Sequence, residues 1–238
     1  GSPLGKFRAN TLLDRAVNVS MDHLEGDSRL PDATLAKTES TSQRFDDDEV
    51  WLSLTSPLKH QLSAAAVKCV DNAMDIRSVN TLRWDGISWW AASSDGPGMC
   101  MVANAFGYDF ENVLGITGGG GTARSVAAAW SANGGKVKQV GGKRLLDEDG
   151  PWNLCNEEPK FSINFDHDGG DLSVKYQKME GDFESRIDYL SKNADGRWLL
   201  CAQHLHSWAN LWAPKYSEYL PSLSLLLTRL VAVEVQLE

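Results

Sequence analysis

The sequence predicts an α/β protein built on a parallel sheet, and three observations carry that expectation. Residues 112–140 read as one strand–helix–strand unit. Asn112 to Thr117 is an apolar run of strand type, Thr122 to about Ala132 repeats Val126, Ala129 and Trp130 at helical spacing, and Lys136 to Val140 is a second strand. Two strands joined through a helix lie parallel in one sheet. The pair Asp85-Gly86, set between Ser78–Trp84 and Ile87–Trp90, marks a hairpin, because both turn positions of the tightest loops require positive φ. The chain has 238 residues, 42% hydrophobic and 23% charged, enough for one large domain or two small ones sharing a cleft.

The other elements follow in chain order. Thr11 to Val17 reads as a short helix, and Glu25 to Asp48, rich in Asp, Ser and Thr, as loops with one short strand at most. Val50 to Thr55 is strand-like and is ended by Ser56-Pro57. From His60 to Asn72, Leu62, Ala65, Ala66, Cys69 and Val70 recur at helical spacing, so a helix is expected there. Gly96-Pro97-Gly98 should break the chain before a helix over Met99–Phe106. Gly134-Gly135 closes the helix of the central unit. Lys160–Phe165 and Asp171–Tyr176 suit strands, Phe183–Lys192 a helix, and Trp198–Gln203 an apolar run continued by a helix over His204–Trp212. There is no internal repeat.

Composition excludes several classes of function. The net charge of -9 disfavours non-specific nucleic-acid binding, which rests on cations neutralising phosphates. No stretch approaches the roughly 20 apolar residues that span a bilayer, and no signal peptide is expected. Cys69, Cys100, Cys155 and Cys201 lie far apart without a CxxC pair, which suits reduced, mostly buried thiols in a cytoplasmic protein. The 5 histidines form no ligand set, and no metal is expected.

The segment Ile116-Thr-Gly-Gly-Gly-Gly-Thr-Ala-Arg124 sits after a strand and before a helix, where a dinucleotide fingerprint belongs. Glycine lets backbone N–H groups approach a pyrophosphate, and the helix start adds partial positive charge. The spacing departs from G-x-G-x-x-G in its last place, which Ala123 fills, and the alternative is a flexible loop. At the end of the following strand, an NAD site wants an acidic residue for the ribose 2′-hydroxyl. The chain instead has Gly142, Lys143 and Arg144, with no acid before Asp147, which favours the 2′-phosphate of NADP over a merely solvated basic turn. Two further residues draw notice. Lys59 lies between a strand end and a helix start, and Asp95 follows the hairpin; by themselves they read as a solvated lysine and a turn aspartate, with catalytic roles the alternative.

Six segments, taken in order, resemble the shikimate dehydrogenase family: Gly1-Ser-Pro-Leu-Gly5, Leu54-Thr-Ser-Pro-Leu-Lys59, Ser78-Val-Asn-Thr81, Ser93-Ser-Asp-Gly-Pro-Gly98, Val113 to Arg124, and Leu199 to Gln203 followed by Leu211-Trp212. The resemblance implies an α/β enzyme of two domains. A substrate-binding and catalytic domain would cover 1–98, completed by helices over 204–238. A shortened Rossmann-like NADP-binding domain would cover 99–203, with the active site in the cleft between them. The implied activity is the NADP-dependent, reversible reduction of 3-dehydroshikimate to shikimate, in aromatic amino acid biosynthesis, by a monomer or homodimer acting on a small-molecule substrate. Carried over residue by residue, Lys59 and Asp95 are the catalytic pair, and Thr55, Asn80, Gln203 and Tyr176 bind substrate. Gly118, Gly119, Gly120, Gly121 and Thr122 cradle the pyrophosphate, and Gly142, Lys143 and Arg144 hold the adenosine end.

The chain departs from the family pattern at its opening. Lys6-Phe-Arg-Ala-Asn10 stands where the family carries two serines for the substrate carboxylate. Lys6 or Arg8 would replace those hydroxyls with a charge-assisted bond, or the substrate differs; a related dehydrogenase of another polyol or quinate-like acid, or a silent NADP-binding homologue, is the alternative. The stretch from Arg144 to Gln203 is short for the family, so an α/β unit is expected to be missing or reduced.

Overall fold

A computed structural model describes residues 50–55, 58–60, 67–85 and 87–237 of the chain. The helix expected over Thr11–Val17, the loops of 25–48, the opening motif and the segment 61–66 lie outside the described residues. Two compact units share the chain: Gly1–Ser94 with Ser207–Tyr219, and Asp95–His206 with Leu220–Glu238.

The first unit holds a mixed sheet. Strands β1 (Val50–Ser53), β2 (Lys68–Cys69), β3 (Thr81–Trp84) and β4 (Trp89–Ala92) lie in the order β1-β3-β4-β2, with β2 parallel to β4 and the other pairs antiparallel. The expected hairpin is β3–β4, with Trp84 opposite Trp89. The Asp85 carboxylate accepts the N–H groups of Ile87 and Ser88 and the indole N–H of Trp90, which closes the loop. The helix expected to run on to Asn72 is corrected at its end: Lys68–Cys69 is a strand. Apolar residues at helical spacing favour a helix there, but Val70 donates to Ala91, and β4 supplies ladder partners that a helix would forgo.

Leu52, Leu54, Leu58, Val79, Leu82, Trp89 and Ala91 form the core of this unit. A π-helical turn, Trp208–Trp212, closes it. The Trp212 indole donates to the Leu82 carbonyl at 2.9 Å, Arg83 donates to the Leu211 carbonyl at 3.0 Å, and the Trp51 ring meets Trp208 at 5.0 Å and Trp212 at 6.3 Å.

The second unit is built on a parallel sheet of β5 (Leu114–Thr117), β6 (Val137–Gly141), β7 (Phe161–Asn164) and β8 (Leu172–Ser173), ordered β6-β5-β7-β8. Its helices are α1 (Asp95–Ala105), α2 (Gly121–Ala132), α3 (Phe183–Lys192), α4 (Gly196–Ser207) and α5 (Leu223–Leu237). Leu114, Ile116, Phe161 and Ile163 are buried, as strands covered on both faces require, and Val126, Ala127 and Trp130 of α2 are buried with them.

Both sheet edges extend by a single parallel bridge, Leu154 beside Val137 of β6 and Ala194 beside Leu172 of β8. Counted with these bridges, the order is that of a doubly wound dinucleotide fold, 3-2-1-4-5-6 along the chain, with its third and sixth strands reduced to one pairing each. The crossovers are reduced too. Among the described residues no helix joins β6 to β7 or β7 to β8. The second of these connections turns on Gly169 and Gly170, both at positive φ, with Asp171 exchanging bonds with Ser162 through backbone and carboxylate.

Helix α1 starts at Asp95, four residues earlier than the glycines and proline suggest. Pro97 sits in the first turn, where its missing N–H has no intrahelical acceptor to lose. The two glycines are contacts rather than breaks. A Cβ at Gly96 would stand 2.1 Å from the Ser125 carbonyl oxygen of α2, and one at Gly98 would stand 2.7 Å from the Gln203 nitrogen of α4. All four cysteines are free thiols, and burial pushes the Cys100 thiol up to about 12 and the Cys201 thiol up as well. Among the described residues no helix is long and apolar enough to cross a membrane.

Candidate functional site

The sheet order of the second unit reverses at β5, whose neighbours β6 and β7 continue in opposite directions. In open α/β sheets such a switch point opens a crevice at the carboxyl ends of the strands. The glycine run leaves β5 at that end. Its first three glycines have distinct tasks. Gly118 takes φ +105° and donates its N–H to the Gly141 carbonyl at 2.8 Å. Gly119 lies against the chain beyond β6, where a Cβ would stand 2.2 Å from the Leu145 carbonyl oxygen. Gly120 caps α2 with extended backbone, no side chain caps the helix, and a Cβ at Gly120 would meet nothing within 4 Å. Gly142, at φ +132°, leaves room for Gly118, whose nitrogen a Cβ would approach to 2.4 Å. The turn is therefore tightly backed on one side and open above the start of α2.

Two side chains that the sequence did not single out hold this arrangement. Gln139 of β6 donates its amide to the Gly141 carbonyl at 2.6 Å and to those of Ile116 and Gly118, and accepts the Leu146 N–H at 3.0 Å. Asp166, just past β7, accepts the Lys143 N–H at 2.6 Å, and its carboxylate packs on Gly118 and Gly142. No local pattern flags Asp166; its signal is the switch-point rule applied to the end of the neighbouring strand. Lys143 and Arg144 are exposed at the end of β6, and Arg124 donates to the Gly119 carbonyl at 2.9 Å.

The candidate catalytic and substrate residues fall in two places. In the first unit, Leu54 donates to the Asn80 carbonyl at 2.7 Å and Val79 to the Lys59 carbonyl at 2.8 Å, so the segments carrying Thr55, Lys59 and Asn80 run side by side. Thr55 is exposed, Lys59 is half-buried in a 3-10 turn, Leu58–His60, and Asn80 is buried. The Asn80 amide donates to the Ser94 hydroxyl at 2.9 Å and accepts the Ser94 N–H at 2.6 Å. Thr81 links that hydroxyl to Ser207, at 2.9 and 3.1 Å.

In the second unit, Asp95 is buried at the first position of α1 and accepts the Thr122 hydroxyl at 3.0 Å. Gln203 and His204 follow on α4; burial lowers the His204 pKa, while the Leu200 carbonyl and Asp95 oppose that shift. Tyr176 lies beside the start of α4, next to Gly196 and Arg197. It is half-exposed beneath the Arg197 guanidinium, 5.7 Å from its ring, and burial raises its phenol well above the ordinary range, so it stays a hydrogen-bond donor at neutral pH. Arg197 is itself held by Asp195 and by Glu234 of α5 at 2.7 Å.

No protein-family model matches the chain, and no curated protein sequence matches it. Solved structures do. The chain is similar to shikimate 5-dehydrogenase from Thermus thermophilus in complex with shikimate, with a TM-score of 0.57 and 20% identity over 78% of each chain. It is similar to a shikimate dehydrogenase in complex with NADP+, with a TM-score of 0.58 and 14% identity over 87% of this chain and 83% of the other. Shikimate dehydrogenase from Aquifex aeolicus matches with a TM-score of 0.53 and 16% identity over 76% of each chain. The parallel sheet with a glycine turn at its switch point is an α/β fold of the dinucleotide-binding class. Its particular form is the fold of the shikimate dehydrogenases.

Proposed function

We propose that the chain is an NADP-dependent oxidoreductase that interconverts 3-dehydroshikimate and shikimate, as a step of aromatic amino acid biosynthesis. The observation that carries this reading is the glycine turn at the carboxyl end of β5, in a fold shared with solved proteins that hold NADP+ and shikimate. The turn suits the cofactor: space is open above Gly120, α2 starts without a side-chain cap, and two exposed cations stand at the end of β6. When bound, NADP supplies the hydride acceptor. Gly119, Gly120 and Gly121, with the Thr122 backbone, hold the pyrophosphate through N–H groups and the partial charge of the helix start, and Gly118, whose own N–H goes to Gly141, makes the turn that presents them. Gly142, Lys143 and Arg144 hold the adenosine 2′-phosphate by charge-assisted bonds.

Lys59 and Asp95 act on the reacting oxygen. In the oxidative direction the ring carbon loses hydride and its hydroxyl loses a proton, which the lysine–carboxylate pair takes up; reduction returns it. The cation also holds charge developing on that oxygen. Thr55, Asn80, Gln203 and Tyr176 bind the substrate hydroxyls, and Asn80 has the further task of holding Ser94, the residue before Asp95.

A second reading is favoured by Phe7 and Ala9 at the places of the carboxylate-binding serines. It makes the chain a related NADP-dependent dehydrogenase of another polyol or quinate-like acid, or a homologue that binds NADP without turnover. Absorbance at the NADPH band, with shikimate and with quinate, separates the readings. Wild type is expected to turn over shikimate, and Lys59→Ala and Asp95→Asn to lower kcat by about 10²–10⁴-fold. Binding of NADP+ with no turnover of shikimate would sink the first reading.

A further inference from the structure

We infer that the Thr122 hydroxyl is a positioning group for Asp95 and not a ligand of the cofactor phosphate, so that the helix opening the nucleotide site also sets the proposed catalytic carboxylate. This rests on the role given to Asp95 above. The Thr122 hydroxyl carries one proton, and the geometry directs it to the Asp95 carboxylate at 3.0 Å. A phosphate oxygen is an acceptor and needs a donor. A proton given to Asp95 cannot also be given to a phosphate, which leaves Thr122 only its backbone N–H for that purpose.

The bond belongs to a larger contact that fixes the register of α1 on α2. One turn beyond Thr122, on the same face of α2, the Ser125 hydroxyl accepts the Gly96 N–H at 2.8 Å. Gly96 itself lies so close that a Cβ would stand 2.1 Å from the Ser125 carbonyl oxygen and 2.8 Å from the Ala129 Cβ. On its other side α1 meets α4 through Gly98 and the Gln203 backbone. Two adjacent residues of α1, Asp95 and Gly96, are thus bonded to two hydroxyls one turn apart on α2. Asp95 is 1% exposed, so water cannot readily stand in for the Thr122 hydroxyl, and without it the carboxylate is no longer held from the α2 side. A reacting group displaced by about 1 Å can lose on the order of 10²-fold in rate. The Thr122 backbone would meanwhile keep its place in the turn.

The test compares wild type, Thr122→Val and Thr122→Ser in the full chain. Valine keeps the branched shape without the hydroxyl, and serine keeps the hydroxyl. The Kd for NADP+ is read from tryptophan fluorescence, and kcat and KM for shikimate from NADPH absorbance. Thr122→Val is expected to lower kcat by about 10-fold or more while Kd and KM stay within about 2-fold, and Thr122→Ser to restore most of the rate. A Kd raised about 10-fold at unchanged kcat would return the hydroxyl to the phosphate and overturn the inference, as would no change in either constant. If wild type binds NADP+ without turning over shikimate or quinate, the proposed activity fails by itself. Crystal structures of wild type and Thr122→Val then decide the present point: an Asp95 carboxylate turned away from position 122 supports it, and an unmoved one overturns it.

Discussion

At the scale of the residue, the end of β6 shows what a sequence can and cannot reveal about a site. Lys143 and Arg144 follow two glycines at the end of a strand, so their charge and place are legible from a single line of letters. Asp166 was not legible. It acts 23 residues away, on the Lys143 N–H, and reaches it only because β5 lies between β6 and β7. The carboxylate takes the backbone N–H of Lys143, while the Lys143 and Arg144 side chains are exposed. Exposed ion pairs are worth little individually, about 1 kcal/mol, so each cation should contribute modestly to a 2′-phosphate and nothing to a 2′-hydroxyl. Lys143→Ala and Arg144→Ala are each expected to weaken NADP+ by about 5-fold and to leave NAD+ unchanged, with a difference that shrinks as salt rises. Parallel fluorescence titrations with the two nucleotides check this. Equal losses for both would place the cations away from the 2′ position.

At the scale of the element, the four glycines of the turn are one repeated letter in the sequence and several devices in the fold. Gly119 is required by packing, since a Cβ would stand 2.2 Å from the Leu145 oxygen and 2.4 Å from its carbon, both backbone atoms that cannot swing aside. Gly120 has φ -72°, ψ -178° and open space, so a side chain costs the folded chain little. That space is where the proposed pyrophosphate lies. Gly119→Ala is therefore expected to destabilise the protein by about 1–3 kcal/mol, as overpacked sites do. Gly120→Ala is expected to leave the melting temperature unchanged and to weaken NADP+ by about 10-fold or more. Thermal melts paired with NADP+ titrations separate the two, and a Gly120→Ala protein that binds as wild type would move the nucleotide off the turn. The same limit explains the element read incorrectly. Cys69 and Val70 fit helical spacing, and only the ladder of β4 reveals that the chain there is extended.

At the scale of the whole molecule, the central βαβ unit was legible because its strands are buried on both faces and its helix carries a 3.6-residue apolar stripe. The reduced edges were legible as a shortage of residues and not as a structure. A single bridge at Leu154 or Ala194 has no periodicity to read, and the pairing is set by the neighbours Val137 and Leu172. Stability of the molecule against acid separates into two windows for a related reason, namely that burial and local bonds act on different groups. Burial lowers the pKa of His204 from 6.5, so the unfolded chain binds its proton first. That contribution is complete above the unfolded value and is lost as pH falls from about 6.5 towards the lower folded value. Asp85 and Asp182 behave in the carboxylate range. Burial would raise Asp85, but the Ser88, Trp90 and Ile87 donors hold it below 3.8, and the Ser185 hydroxyl and N–H lower Asp182 from the same value. Their contributions are present above 3.8 and are lost only as pH falls through their folded values. Melting temperature is therefore expected to drop first between about pH 7 and about pH 5, and again in stronger acid. His204→Gln should flatten the first drop and leave the second. An unchanged slope between neutral pH and about pH 5 in that variant would show that another group takes up the proton.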